Sequence, residues 1–135
     1  DLLCVNVFVE IKLKINVLLG DRTMSYPEYV LVTLTEVGGS SCGPKTHRMK
    51  LDGSASPPEY GLDGSGDFTW ARLRQATINS VTSWELGVYI ATSPCNGMNT
   101  LWRSPGADDP TGTFFVVRGS VADEDYGVAT IADDS

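Results

Sequence analysis

The sequence predicts an all-β fold, an antiparallel β-sandwich or barrel, jelly-roll-like, of about eight strands. Three observations carry this reading. Apolar residues recur with a period of two in several runs, the signature of strands with one buried face. Glycine and proline, at 14 and 7 copies, place turn signals between those runs. Helical periodicity is confined to one short stretch.

Taken in order, the first run is the cleanest. Leu3, Val5, Val7, Val9, Ile11, Leu13, Ile15 and Val17 occupy every odd position, against Asn6, Glu10, Lys12, Lys14 and Asn16. Residues 1–19 therefore read as one long amphipathic strand, roughly 50 Å if straight. A strand of that length either bends between two sheets or passes from one structural unit into another. Residues 20–27, with Gly20-Asp21-Arg22 and Ser25-Tyr26-Pro27, read as a hinge, and residues 28–135 as a β-sandwich body. Tyr29 to Val37 is a strand with Val30, Val32 and Leu34 on one face. Lys45 to Leu51 alternates Thr46, Arg48 and Lys50 against His47, Met49 and Leu51, and reads as an exposed strand. Residues 52–67 form a long Gly/Ser/Pro/Asp loop. Phe68 to Leu73 resumes a strand, in which Phe68 and Trp70 share a core-facing parity. Gln75 to Ser83 is the one place for a short helix, although Thr77, Ile78, Val81 and Thr82 are β-branched and oppose it. Trp84 to Thr92 is a strand through Leu86, Val88 and Ile90. Leu101-Trp102-Arg103 is a short strand, Ser104 to Gly112 a loop, and Phe114 to Val121 and Gly127 to Ala132 the last two strands. All 135 residues fit a single β domain.

The net charge of −7 is uneven: residues 1–50 hold six Lys/Arg and five Asp/Glu, residues 51–135 four and twelve. The second half repels a phosphate backbone, which excludes nucleic acid and an anionic membrane as expected partners. No segment approaches the ~20 apolar residues of a membrane-spanning helix. The start, Asp1-Leu2-Leu3-Cys4, lacks the basic region of a signal peptide, and a chain beginning at Asp reads as processed or excised. Cys42 and Cys95 lie in turn-like loops, where a disulfide would pin two connections and imply an oxidising compartment. Free thiols would fit a cytosolic assembly equally well. Cys4 reads as a small buried hydrophobe.

Catalytic signals are thin. The single histidine, His47, lies in no nucleophile motif and reads as an ordinary surface or strand residue. Many acids are present, but nothing marks a catalytic carboxylate pair, so the chain is expected not to be an enzyme. The metal candidate is Asp63-Gly64-Ser65-Gly66-Asp67, with oxygen-bearing residues at alternate positions. Phe68 and Arg74 stand where an EF-hand needs Gly and Glu, so a calcium site would be of a β-loop kind, built from Asp63, Ser65 and Asp67 with Asp108 or Asp109. A flexible polar turn is the plainer reading of the same residues. The binding candidates are Tyr60, Asp63, Trp102 and Arg103. An exposed aromatic ring among loop carboxylates would suit a glycan, and Trp102 beside Arg103 borders a loop.

The first residues, Asp1-Leu2-Leu3-Cys4-Val5-Asn6-Val7-Phe8-Val9-Glu10-Ile11, carry a resemblance. They are similar to the last shell strand in capsid proteins of small icosahedral RNA viruses, tombusvirus-like or nodavirus-like, in which an acid and Leu lead by alternation to a Val-Glu pair, here Val9-Glu10. The resemblance covers about the first dozen residues. It implies that a hinge and then a protruding domain follow, exposed on the virion, self-associating and contacting a host receptor through loops such as 52–67 and 104–112. The alternative expectation is a secreted, calcium-assisted carbohydrate-binding module.

Overall fold

A computed structural model describes residues 26–35, 43–91, 98–106, 108–119 and 127–135. The expected first strand and Cys4, Cys42 and Cys95 lie outside the described residues, as does most of the expected hinge.

The described residues form eight strands: β1 Tyr29–Thr35, β2 Lys45–Asp52, β3 Glu59–Leu62, β4 Trp70–Ile78, β5 Val81–Ile90, β6 Met98–Arg103, β7 Gly112–Arg118 and β8 Val128–Asp133. Each pairs antiparallel with its neighbour in sequence, and β8 returns to β1, so the hydrogen bonding closes. The all-β expectation holds among the described residues. The strand order is sequential, whereas a jelly-roll would pair strands by long crossings.

Alternation explains which face turns in. Val30, Val32 and Leu34 of β1 are fully buried, as are Leu86 and Val88 of β5, while their odd-numbered or charged neighbours point outward. From the other strands Met49, Tyr60, Leu73, Trp102, Phe114 and Ile131 complete the interior, with Trp84 at one end of β5. A closed sheet of about eight strands encloses a space that side chains can fill. Two tryptophans, a tyrosine, a phenylalanine and a methionine, all fully buried, fill it here. Each such side chain contributes roughly 1.5–3 kcal/mol by leaving water.

Three expectations need correction. The 52–67 stretch is not one loop, because Glu59–Leu62 pairs with both Leu51 and Arg72 neighbours as β3. The 75–83 stretch is not helical. Nine register pairs run from Trp70↔Tyr89 to Ile78↔Val81, closed by Asn79 and Ser80 at φ 52° and 65°. Two central residues with positive φ are what a two-residue hairpin turn requires, and the β-branched flanks favour the ladder over a helix. Lys45–Asp52 is not an exposed strand, because His47 and Met49 lie in the core.

Successive connections alternate between the two ends of the barrel. The 63–69 connection shares one end with the start of β2, through Asp67 N–H donating to Thr46 O at 3.0 Å. The 53–58 and 104–111 connections share the other end with the β4–β5 hairpin and the start of β1. Tyr26 and Pro27, the described part of the expected hinge, lie at that second end. Tyr26 packs edge-on against Trp84 at 5.3 Å, and Pro27 O accepts from the Tyr60 hydroxyl at 2.6 Å.

Candidate functional site

Side chains occupy the interior among the described residues, and an open groove lies on the outer wall. The outward residues of β4 to β7 fall into three rows across the sheet. Trp70, Tyr89 and Asn99 form one; Arg72, Gly87, Leu101 and Arg118 the next; Arg74, Glu85 and Arg103 the third. All of these but Tyr89 and Arg103 line an open groove of about 440 Å³. Trp70 is 50% exposed, and its indole leans diagonally over Gly87. A Cβ added at Gly87 would meet the indole at 3.5 Å, an ordinary van der Waals contact, which places the ring close over this position of the sheet.

Four arginines stand on this wall. Arg72 pairs with Glu59 at 2.8 Å and Arg103 with Glu85 at 3.2 Å. Arg74 and Arg118 are exposed and make no ion pair among the described residues. The arrangement offers a flat apolar platform with guanidinium donors beside it, chemistry suited to a ring that bears hydrogen-bond acceptors.

The residues singled out from sequence are placed elsewhere. Trp102 is fully buried, so it is a core residue and not a binding surface; Trp70, assigned to the core by its parity with Phe68, is the exposed one. The alternation slips at Thr69, whose N–H donates to Tyr89 O before β4 begins, so Phe68 turns in and Trp70 out. Tyr60 is buried too, and burial together with the Asp133 charge pushes its phenol above the ordinary range. Arg103 stands on the same wall, outside the groove lining, where Glu85 holds it.

The acids proposed for calcium are not brought together. Asp63, Ser65 and Asp67 lie at one end of the barrel, and Asp108 and Asp109 at the other. Asp63 pairs with Arg48 at 3.7 Å, and Asp67 Oδ2 accepts from Thr46 N–H at 2.8 Å. Asp108 Oδ1 accepts from Tyr26 OH at 3.0 Å, Gln75 Nε2 at 2.9 Å and Trp84 Nε1 at 3.2 Å, while Asp109 turns onto the Thr111 hydroxyl and N–H. Among the described residues no three His, Cys, Asp or Glu side chains gather as metal ligands would.

His47 is a strand residue, on β2, and it is buried rather than at the surface. Its Nδ1 accepts from Phe68 N–H at 3.1 Å, and its Nε2 faces the Gly64 carbonyl at 3.1 Å, which sets Nε2 as the protonated nitrogen. The ring stacks on Phe68, and a Cβ at Gly66 would collide with it. The histidine ties the 63–69 connection to β2.

No protein-family model, curated protein or solved structure matches this chain.

The groove escaped sequence reading because its residues come from four strands, one to three from each. One signal was present. Residues 51–135 contain no lysine, and all four of their cations are the arginines of this wall. Arg72 and Arg74 also alternate with the buried Ala71 and Leu73, which marks them as outward.

Proposed function

We propose that this chain is a non-enzymatic domain that works by presenting its outer surface, the protrusion of a small icosahedral capsid, which self-associates and contacts a host receptor at the virion surface. The filled interior carries this reading. Trp84, Trp102, Tyr60 and Phe114 are fully buried in the core, so side chains occupy the interior among the described residues, and recognition falls to the walls and ends. The groove over Trp70 is the surface proposed for the receptor. The capsid assignment is supported by the resemblance of residues 1–11. Leu31, Phe115 and Val117 expose apolar area on the outer wall, which suits contact between copies. Sedimentation velocity over a wide concentration range tests this: dimers or trimers that grow with concentration are expected, and a strictly monomeric species at high concentration rejects self-association.

The second reading, a secreted carbohydrate-binding module, is favoured by Trp70, a half-exposed ring lining a groove. The coding region upstream separates the two. A β-rich shell behind a basic arm fits the protrusion, and a signal peptide fits the secreted module.

A further inference from the structure

We propose that the groove on the β4–β7 wall takes a saccharide bearing an anionic group, its ring stacked on Trp70 and its carboxylate or sulfate held by Arg74 and Arg118. The inference rests on the reading of this groove as the recognition surface and names what it recognises.

The platform comes first. Trp70 keeps half its surface in water, yet it is seated over Gly87 with Leu101 beside it. An exposed indole face can receive a sugar ring. The volume of about 440 Å³ suits one or two sugar units.

The charge comes second. Residues 51–135 carry twelve acids and four cations, and every cation lies on this wall. Glu59 and Glu85 are the register neighbours of Arg74 but form their ion pairs with Arg72 and Arg103, so among the described residues Arg74 and Arg118 are the two arginines of the wall with no ion pair. Arginine rather than lysine at both positions matters, because a guanidinium matches the two oxygens of a carboxylate or sulfate as a planar fork. A guanidinium donates and never accepts, so these two residues favour an acceptor-rich ligand over a neutral sugar. A polyanion such as nucleic acid would extend beyond the groove into a chain of net charge −7. A ligand with one or two charges would not.

The test uses the full chain and its tryptophan indole N–H signals in ¹H–¹⁵N spectra. Trp84 and Trp102 are buried, so they serve as internal controls. The probes are a sialylated trisaccharide for carboxylate, a heparin-derived disaccharide for sulfate, lactose as the neutral sugar and a short oligothymidylate. The expected result is a saturable shift of the Trp70 signal with one or both acidic sugars, and the two arms separate carboxylate from sulfate. Arg74→Gln and Arg118→Gln, both on the outer wall, should each weaken binding by about tenfold, and Trp70→Ala should abolish it. If lactose shifts Trp70 as well as the acidic sugars do, and the arginine variants bind normally, the acidic assignment is overturned while the groove remains the recognition surface. If no sugar moves Trp70, or only oligothymidylate does, both readings fall.

Discussion

Tyr60 stands at the end of the barrel where the chain enters β1, its ring against Trp84 at 5.8 Å and its hydroxyl donating to Pro27 O. Burial, and then the Asp133 charge, raise its phenol above the ordinary value. The folded state therefore resists ionisation that the unfolded chain allows. The stability this represents is fully present below about pH 10, the unfolded tyrosine range, and is lost as pH rises through and beyond it. Tyr60→Phe should cost about 1 kcal/mol at neutral pH for the lost hydrogen bond and make the alkaline fall in stability shallower, as read by urea titrations from pH 7 to 11. Little of this was legible beforehand. The chain shows Tyr60 in a Gly/Ser/Pro-rich stretch, where an aromatic reads as exposed. The four-residue strand that turns it inward is too short to show alternation. His47 was obscure for a related reason. Its burial depends on Gly64, Gly66 and Phe68 folding back over it, a tertiary event that the residues around it on β2 do not encode.

At the scale of the element, the β4–β5 hairpin has the longest ladder, nine register pairs closed by Asn79-Ser80. Ser80 holds φ at 65°, a conformation that glycine adopts without strain. Ser80→Gly should stabilise the fold by about 0.5–1 kcal/mol, measured as a higher denaturant midpoint with an unchanged slope. Strands with regular alternation were readable from sequence: β1 and β5 fall where Val30-Val32-Leu34 and Leu86-Val88-Ile90 put them. Strands whose phase breaks were not. One slip at Thr69 was enough to put Trp70 on the outside, because parity counted from Phe68 does not survive an irregular residue. The hairpin turn was missed because Asn-Ser lacks the glycine that marks such turns most strongly.

Across the whole molecule, the three tryptophans divide cleanly, with Trp84 and Trp102 inside and Trp70 outside. Acrylamide should therefore quench only the Trp70 emission in the folded state, and Trp70→Phe should leave a fluorescence nearly inaccessible to quencher until the barrel unfolds. The closing seam joins β1 to β8, and Arg48 fastens one end of it. Its Nε lies 3.0 Å from Asp134 Oδ2, and its guanidinium lies 3.8 Å over the Tyr29 ring. At that same end Asp134 N–H donates to Tyr29 O at 2.9 Å, so the polypeptide enters β1 and leaves β8 side by side. That adjacency decides how the barrel answers force. Tension between the segment before Tyr29 and the segment after Asp133 loads the seam at one end, and its hydrogen bonds break in succession, as a zip opens. Tension along the strands would instead shear a whole ladder at once. Anything that tugs on both flanking segments therefore meets the molecule in its mechanically soft direction, with Arg48 as the first fastening to give.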